Sequence, residues 1–206
     1  MKIDKIGLYF ITSSEFGRRH EELVESVLKA GVRFVQFREK AMSARKMYET
    51  AKRLRSLTLD YSATFIVNDR FDLALTVDAD GVHLGQDDIP FEVVRDHFDG
   101  ILGVSTHNVE EARRAERYAD YISAGPVFLT TTKRGLKPIG LEGLKSIVAT
   151  TRKPVVAIGG INKENVLDVL KLGVRGVAVI SAIASSKDPE KAAKDLLEIV
   201  KRYLGD

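Results

Sequence analysis

The chain contains no cysteine and no tryptophan, and only five prolines and four histidines among its 206 residues. Without cysteine there are no disulfides and no thiolate nucleophile, which excludes a secreted disulfide scaffold. With so few histidines besides, a zinc site has few donors to draw on. Long apolar runs are also missing, and none approaches the roughly 18 residues that a membrane-spanning helix needs. The N-terminus, Met1-Lys2-Ile3-Asp4-Lys5, leads directly into a strand-like segment without a signal-peptide hydrophobic region. A cytoplasmic location with no membrane partner is the expectation. The formal charge is only +3, and lysines and arginines interleave with aspartates and glutamates. That balance suits anionic small molecules and argues against nucleic acid as a partner. A homo-oligomer is compatible with this composition, which does not fix the state.

What the chain does have is a repeated unit: a short β-rich apolar run, a turn, then an amphipathic helix. Predicted strands cover 6–11, 32–37, 64–67, 81–84, 101–104, 121–124, 154–158 and 176–180. Predicted helices cover 21–30, 44–59, 71–77, 91–98 and 141–150, with others opening at Asn108, Asn162 and Asp188. In the first, Leu23, Val24, Val27 and Leu28 recur at helical spacing, and Gly31 falls where a C′ glycine belongs. Asn108 followed by Glu111 outlines a capping box. The stretch Leu28-Lys29-Ala30-Gly31-Val32-Arg33 returns as Leu170-Lys171-Leu172-Gly173-Val174-Arg175, each time ending a helix and feeding a strand. Eight such units imply a parallel sheet covered by helices, and eight strands can close on themselves. The expected fold is therefore α/β, a (β/α)8 TIM barrel in one domain over 1–206. An open doubly wound sheet is the alternative, disfavoured because no strand leads into a Gly-x-Gly-x-x-Gly turn.

In such a barrel the chemistry lies at the carboxyl ends of the strands. Strand two ends in Gln36, Arg38 and Lys40, alternating and hence on one side of an extended chain. Strand three ends in Asn68-Asp69-Arg70, strand four in Gly85-Gln86-Asp87-Asp88, and strand five in Ser105-Thr106-His107-Asn108. Arg38, Lys40 and Lys133 are cations from separate loops that can converge on one anion, against the alternative that the first two pair with Glu39. A unit-charge pair at about 4 Å is worth ~4 kcal/mol at an effective dielectric near 20, so three cations suit a diphosphate. Asp69 and Asp88 would repel that anion unless a hard cation lay between, and Mg²⁺ is the choice that bridges phosphate oxygens. Their competing reading is helix N-capping.

The connection after strand six, 126–140, is long for its place, where about 2–6 residues is usual. It gathers Thr130, Thr131, Thr132, Lys133, Arg134 and Lys137 with no carboxylate, which suits a lid over a phosphorylated ligand. Gly159-Gly160 after strand seven and Ser181 after strand eight suggest a second anion site built on backbone N–H groups, although a Gly-Gly pair also serves as a tight turn. His83 lies within a strand and reads as a hydrogen-bonded structural residue, while His107 stands on the rim with no partner legible in the sequence. No Ser-His-Asp arrangement and no evident base appear. The chemistry indicated is leaving-group stabilisation more than proton abstraction.

These residues fall into a known pattern. Gln36-x-Arg38-x-Lys40, Asn68-Asp69-Arg70, Gly81-Val-His83-Leu-Gly85-Gln86-x-Asp88, Gly103-Val-Ser105, Gly125-Pro126-Val-Phe-x-Thr130-x-Thr132-Lys133, Ile158-Gly159-Gly160-Ile161 and Val179-Ile180-Ser181 resemble the thiamine-phosphate synthase family, in order along the whole chain. The resemblance implies a transferase joining 4-amino-5-hydroxymethyl-2-methylpyrimidine diphosphate to 4-methyl-5-(2-hydroxyethyl)thiazole phosphate, with diphosphate released. It implies that Gln36, Phe37, Arg38, Glu39, Lys40, Asn68, Ser105 and Lys133 bind the pyrimidine diphosphate, with Arg38, Lys40, Ser105 and Lys133 catalytic. Asp69 and Asp88 would hold Mg²⁺, and Thr130, Thr131, Thr132, Gly160, Ile180 and Ser181 would bind the thiazole phosphate. The related thiazole tautomerase carries a catalytic histidine where this chain has Pro126, so the synthase reading is preferred over it and over a non-catalytic phosphate-binding barrel. Leu129 stands where the synthases usually have proline, a change expected to loosen the lid.

Overall fold

The computed structural model describes residues 6–130, 135 and 137–205. Its strands are β1 (Gly7–Ile11), β2 (Phe34–Phe37), β3 (Thr64–Asn68), β4 (Gly81–Leu84), β5 (Ile101–Thr106), β6 (Tyr121–Ala124), β7 (Val155–Ile158) and β8 (Gly176–Val179). Each pairs in parallel with the next, and β8 returns to β1, which closes the barrel and sets aside the open sheet. Helices α1 (His20–Lys29), α2 (Ala44–Asp60), α3 (Phe71–Thr76), α4 (Phe91–His97), α5 (Val109–Glu116), α6 (Gly140–Thr150), α7 (Val166–Leu170), α8 (Ser181–Ala184) and α9 (Pro189–Leu204) surround it. None of the described helices is long and apolar enough to cross a membrane.

Two apolar layers follow from the two-residue period of the strands. Side chains of one parity, among them Phe10, Val35, Phe65, Leu102 and Val177, pack outward against the helices. Those of the other parity, among them Tyr9, Phe34, Ile66, Tyr121 and Val156, fill the interior of the barrel. Full burial of a side chain such as Phe65 or Leu54 contributes about 1.5–3 kcal/mol.

The local signals act as read. Gly31 adopts φ +100, its N–H bonds Leu28 O at 3.0 Å and that of Val32 bonds Val27 O at 3.0 Å, which closes α1 in a Schellman turn. Asn108 Oδ1 accepts the Glu111 N–H at 2.8 Å. The Glu111 carboxylate returns to the His107 N–H at 2.8 Å instead of that of Asn108. Asp188 Oδ1 accepts from the Lys191 N–H, with Pro189 in the first turn of α9. One expectation needs correction. Asn162 does not cap α7: its Oδ1 accepts from the Glu164 N–H within a turn, and the helix starts at Val166. The segment after β8 forms the short helix α8, whose four residues are too few for any periodicity to reveal.

Candidate active site

The carboxyl ends of β2, β3 and β4 bring their loops together on one rim. Lys40 Nζ donates to Asp69 Oδ2 at 2.6 Å, a carboxylate from the next loop and not the Glu39 of the alternative reading. Asp69 and Asp88 interact through their carboxyl groups, and neither caps a helix. Asp88 Oδ2 accepts the Gly85 N–H at 2.6 Å, which folds its loop back toward β4. Asp69 holds φ +60, a left-handed conformation that glycine, asparagine and aspartate adopt more readily than other residues. Burial raises both carboxyls. For Asp69 the hydrogen bonds of Lys40 and Asp88 outweigh it and bring the group below its ordinary value. For Asp88 the neighbouring Asp69 charge adds to burial and pushes it up. One site thus holds two carboxylates whose mutual repulsion a cation would relieve.

Arg38 is held by its backbone, whose N–H donates to buried Thr12 Oγ1 at 3.1 Å. Its guanidinium lies 3.9 Å from Glu15, too far for a strong pair. Gln36 faces the barrel interior and its Nε2 donates to Tyr9 Oη at 2.5 Å. Asn68 ends β3 two residues after interior Ile66, opposite His83. Ser105 is 8% exposed and receives two neighbours: His83 Nε2 at 2.9 Å on its Oγ and Gln86 Nε2 at 2.6 Å on its carbonyl.

The far side of the same end forms one cavity that Ser105, Thr130, Gly160, Ile180 and Ser181 all line, together with His107. Gly159 and Gly160 take φ +100 and +65. A Cβ on Gly160 would lie 2.5 Å from Leu129 O and 2.8 Å from Phe128 Cβ. The glycine pair therefore admits the β6–α6 loop as closely as it would a phosphate, and Val127 and Phe128 donate to Ile158 O and Gly159 O. Leu129 itself is 84% exposed, so its side chain neither grips nor blocks that contact.

A family model described as thiamine monophosphate synthase matches residues 8–183. The chain belongs to that family. It is 60% identical over 201 residues to a thiamine-phosphate synthase of Archaeoglobus fulgidus, covering 97% of this chain and 96% of that protein. It is 49% identical over 207 residues to one of Pyrococcus furiosus, covering 98% of each. The solved thiamine phosphate pyrophosphorylase of Pyrococcus furiosus superposes with a TM-score of 0.92 at 47% identity, over 98% of both chains.

Of the residues the family pattern assigns, Gln36, Arg38, Lys40, Asn68, Asp69, Asp88 and Ser105 lie along one rim. Thr130, Gly160, Ile180 and Ser181 meet Ser105 in the adjoining cavity. Thr131, Thr132 and Lys133 lie outside the described residues. Two side chains of the 36–40 segment point away from the rim. Phe37 has the opposite strand parity to Gln36 and is buried in the outer layer, T-shaped against His20 at 4.9 Å. Glu39 turns inward beneath the loop, where its carboxylate accepts from His20 Nε2 at 3.0 Å and from the N–H groups of Lys40 and Ala41 at 2.6 Å each. Burial alone would raise Glu39, but those bonds together with one from Ser14 bring it down to about 2. Both side chains pack beneath the segment that presents Arg38 and Lys40.

Sequence reasoning missed two contributors, Tyr9 and Tyr121, while His83 is the hydrogen-bonded residue it was read to be. Tyr9 and Tyr121 lie inside the barrel with their hydroxyls 2.9 Å apart, and His83 joins Tyr121 to Ser105. The available signal was parity: Tyr9 stands two residues before interior Ile11, and a buried phenol requires a hydrogen-bond partner. His107 is also not unpartnered, since its Nδ1 lies 2.8 Å from Glu111 Oε2 one turn along α5.

Proposed function

We infer that this chain condenses 4-amino-5-hydroxymethyl-2-methylpyrimidine diphosphate with 4-methyl-5-(2-hydroxyethyl)thiazole phosphate, giving thiamine phosphate and diphosphate. The observation that carries this reading is the meeting of Lys40, Asp69 and Asp88 on the rim, two residues on from Arg38, with a cavity at the same end that Ser105, Gly160 and Ser181 line. The chemistry asks for little else. The bond from the pyrimidinylmethyl carbon to the diphosphate oxygen breaks, and the electron pair leaves with the diphosphate. The thiazole nitrogen then donates its lone pair to the cationic carbon and forms the new C–N bond. No proton has to be removed, which accords with a site rich in cations and poor in free bases.

In this reading Gln36 and Asn68 orient the pyrimidine, Arg38, Lys40 and Ser105 donate to diphosphate oxygens, and Lys133 adds a charge from the β6–α6 loop. The end of β7 and the start of α8 hold the thiazole phosphate through Gly160, Ile180 and Ser181. Asp69 and Asp88 fit a hard divalent cation, since two all-oxygen side chains touch where like charge is unfavourable. Among the described residues no group of three or more metal-donor side chains converges, so phosphate oxygens and water would complete the shell of a Mg²⁺. When bound, Mg²⁺ neutralises the charge on diphosphate. The thiazole and pyrimidine compounds are the small-molecule partners, and the setting is the cytoplasm.

The test incubates the protein with both substrates and Mg²⁺ and quantifies released diphosphate and thiamine phosphate. Equal amounts of the two products are expected. Diphosphate without thiamine phosphate, or conversion of a thiazole carboxylate phosphate instead, would overturn the reading.

A further inference from the structure

The barrel interior contains an unbroken row of polar side chains between two of its walls. Gln36 on β2 bonds Tyr9 on β1 at 2.5 Å, and Tyr9 Oη lies 2.9 Å from Tyr121 Oη on β6. Tyr121 Oη lies 2.9 Å from His83 Nδ1 on β4, and His83 Nε2 lies 2.9 Å from Ser105 Oγ on β5. All five are buried, with Gln36 1%, Tyr9 1% and Tyr121 0% exposed. The packing is made to fit. His83 stacks on the Tyr121 ring at 5.5 Å, and Gly103 between them has no side chain, since a Cβ there would overlap the Tyr121 ring and His83 Nδ1.

The protons in this row can be counted. An amide nitrogen only donates, so Tyr9 accepts from Gln36 and gives its own proton to Tyr121. Burial keeps both phenols protonated, so Tyr121 passes its proton to His83 Nδ1. His83, bare on Nδ1 in this sense of the row, then donates from Nε2 to Ser105 Oγ. Four bonds use four protons, and the hydroxyl proton of Ser105 is left for the cavity that Ser105 lines. Turning the Gln36 amide over reverses every bond. Ser105 would then donate to His83 and offer the cavity only lone pairs.

We propose that Tyr9, Tyr121 and His83 are positioning residues that carry the amide orientation of Gln36 across the barrel to the hydroxyl of Ser105. This rests on the synthase reading: a pyrimidine held at Gln36 fixes the direction of the row, and the row presents Ser105 as a donor to the departing diphosphate. Recognition of one end of the substrate is thereby coupled to stabilisation of the other.

The decisive experiment is ¹⁵N NMR of the full-length protein with labelled histidine, assigning His83 by its loss in His83→Gln. The wild type should show His83 protonated on Nε2 and bare on Nδ1. In Gln36→Glu, at a pH high enough to ionise the new carboxyl, it can only accept, so the row should reverse and the proton should move to Nδ1. A His83 tautomer that is the same in both proteins overturns the proposal. Kinetics supply a second arm. Tyr121→Phe keeps the ring but cuts the row, and should lower kcat by ~10-fold with little change in KM. In a Ser105→Ala background the same change should cost less than about 2-fold, because the row then has nothing to orient. An undiminished effect of Tyr121→Phe in that background would also overturn it. If the wild type made no thiamine phosphate, the functional reading would fail, and the tautomer measurement would still decide the row.

Discussion

Lys40 Nζ lies 2.6 Å from Asp69 Oδ2, tying the loop after β2 to the loop after β3 across the mouth of the barrel. The lysine side chain is 60% exposed, and exposed pairs of this kind contribute roughly 0.2–1 kcal/mol to stability. The contact is therefore of little use to folding and of much use in placing a cation beside a carboxylate. Lys40→Ala should lower unfolding free energy by less than ~1 kcal/mol in a denaturant titration. A charged hydrogen bond to substrate is worth about 1.5–3 kcal/mol, so KM for the pyrimidine diphosphate should rise by roughly 10- to 100-fold.

Asp69 combines a functional charge with a left-handed backbone at φ +60. Asp69→Asn and Asp69→Gly both tolerate that conformation, whereas Asp69→Ala does not. All three should lose most turnover because the charge is gone. Only the alanine variant should also lose about 1 kcal/mol of stability relative to the glycine variant, measured by chemical denaturation.

The Glu39 carboxylate, beneath the same segment, sets a pH dependence whose sign is fixed by its direction. Its value falls from 4.5 to about 2 on folding, so the unfolded chain binds the proton more tightly. The stabilisation is fully present above about 4.5 and is lost as pH falls through about 2. A shift of that size corresponds to roughly 3 kcal/mol. Glu39→Gln should be destabilised by about that much at pH 7, and the gap to wild type should narrow steadily below pH 4.5. A gap independent of pH would show that the carboxylate charge is not what holds the loop.

Gly103 offers a steric test of the interior. Gly103→Ala forces a methyl group against the Tyr121 ring and His83, neither of which has space to retreat. Overpacking of this kind costs typically 1–3 kcal/mol, and turnover should fall beyond what the stability loss explains. Thermal melts alongside kinetics separate the two effects.

Much of this was legible in the sequence, and the pattern of what was not is physical. The strands are short, apolar and separated by amphipathic segments, so all eight could be placed, and Gly31, Asn108 and Asp188 announced their turns and caps. Gln36, Arg38 and Lys40 alternate, so their sharing of one side of the strand end could be read from spacing alone. The buried packing of Phe37 and Glu39 was not legible because a linear motif does not separate alternate side chains that point to opposite faces of a strand. The row from Gln36 to Ser105 was hidden for the complementary reason. Its members come from five strands, and only the register of the closed barrel brings them into contact.

The most direct test of the rim chemistry is a crystal of the protein grown with the pyrimidine diphosphate and Mn²⁺, an anomalous scatterer standing in for Mg²⁺. The expected anomalous peak lies within bonding distance of both Asp69 and Asp88 and of diphosphate oxygens, with Lys40 and Arg38 on the same anion. A peak held by other residues, or a bound diphosphate from which both aspartates turn away, would contradict the claim that these two carboxylates make one cation site.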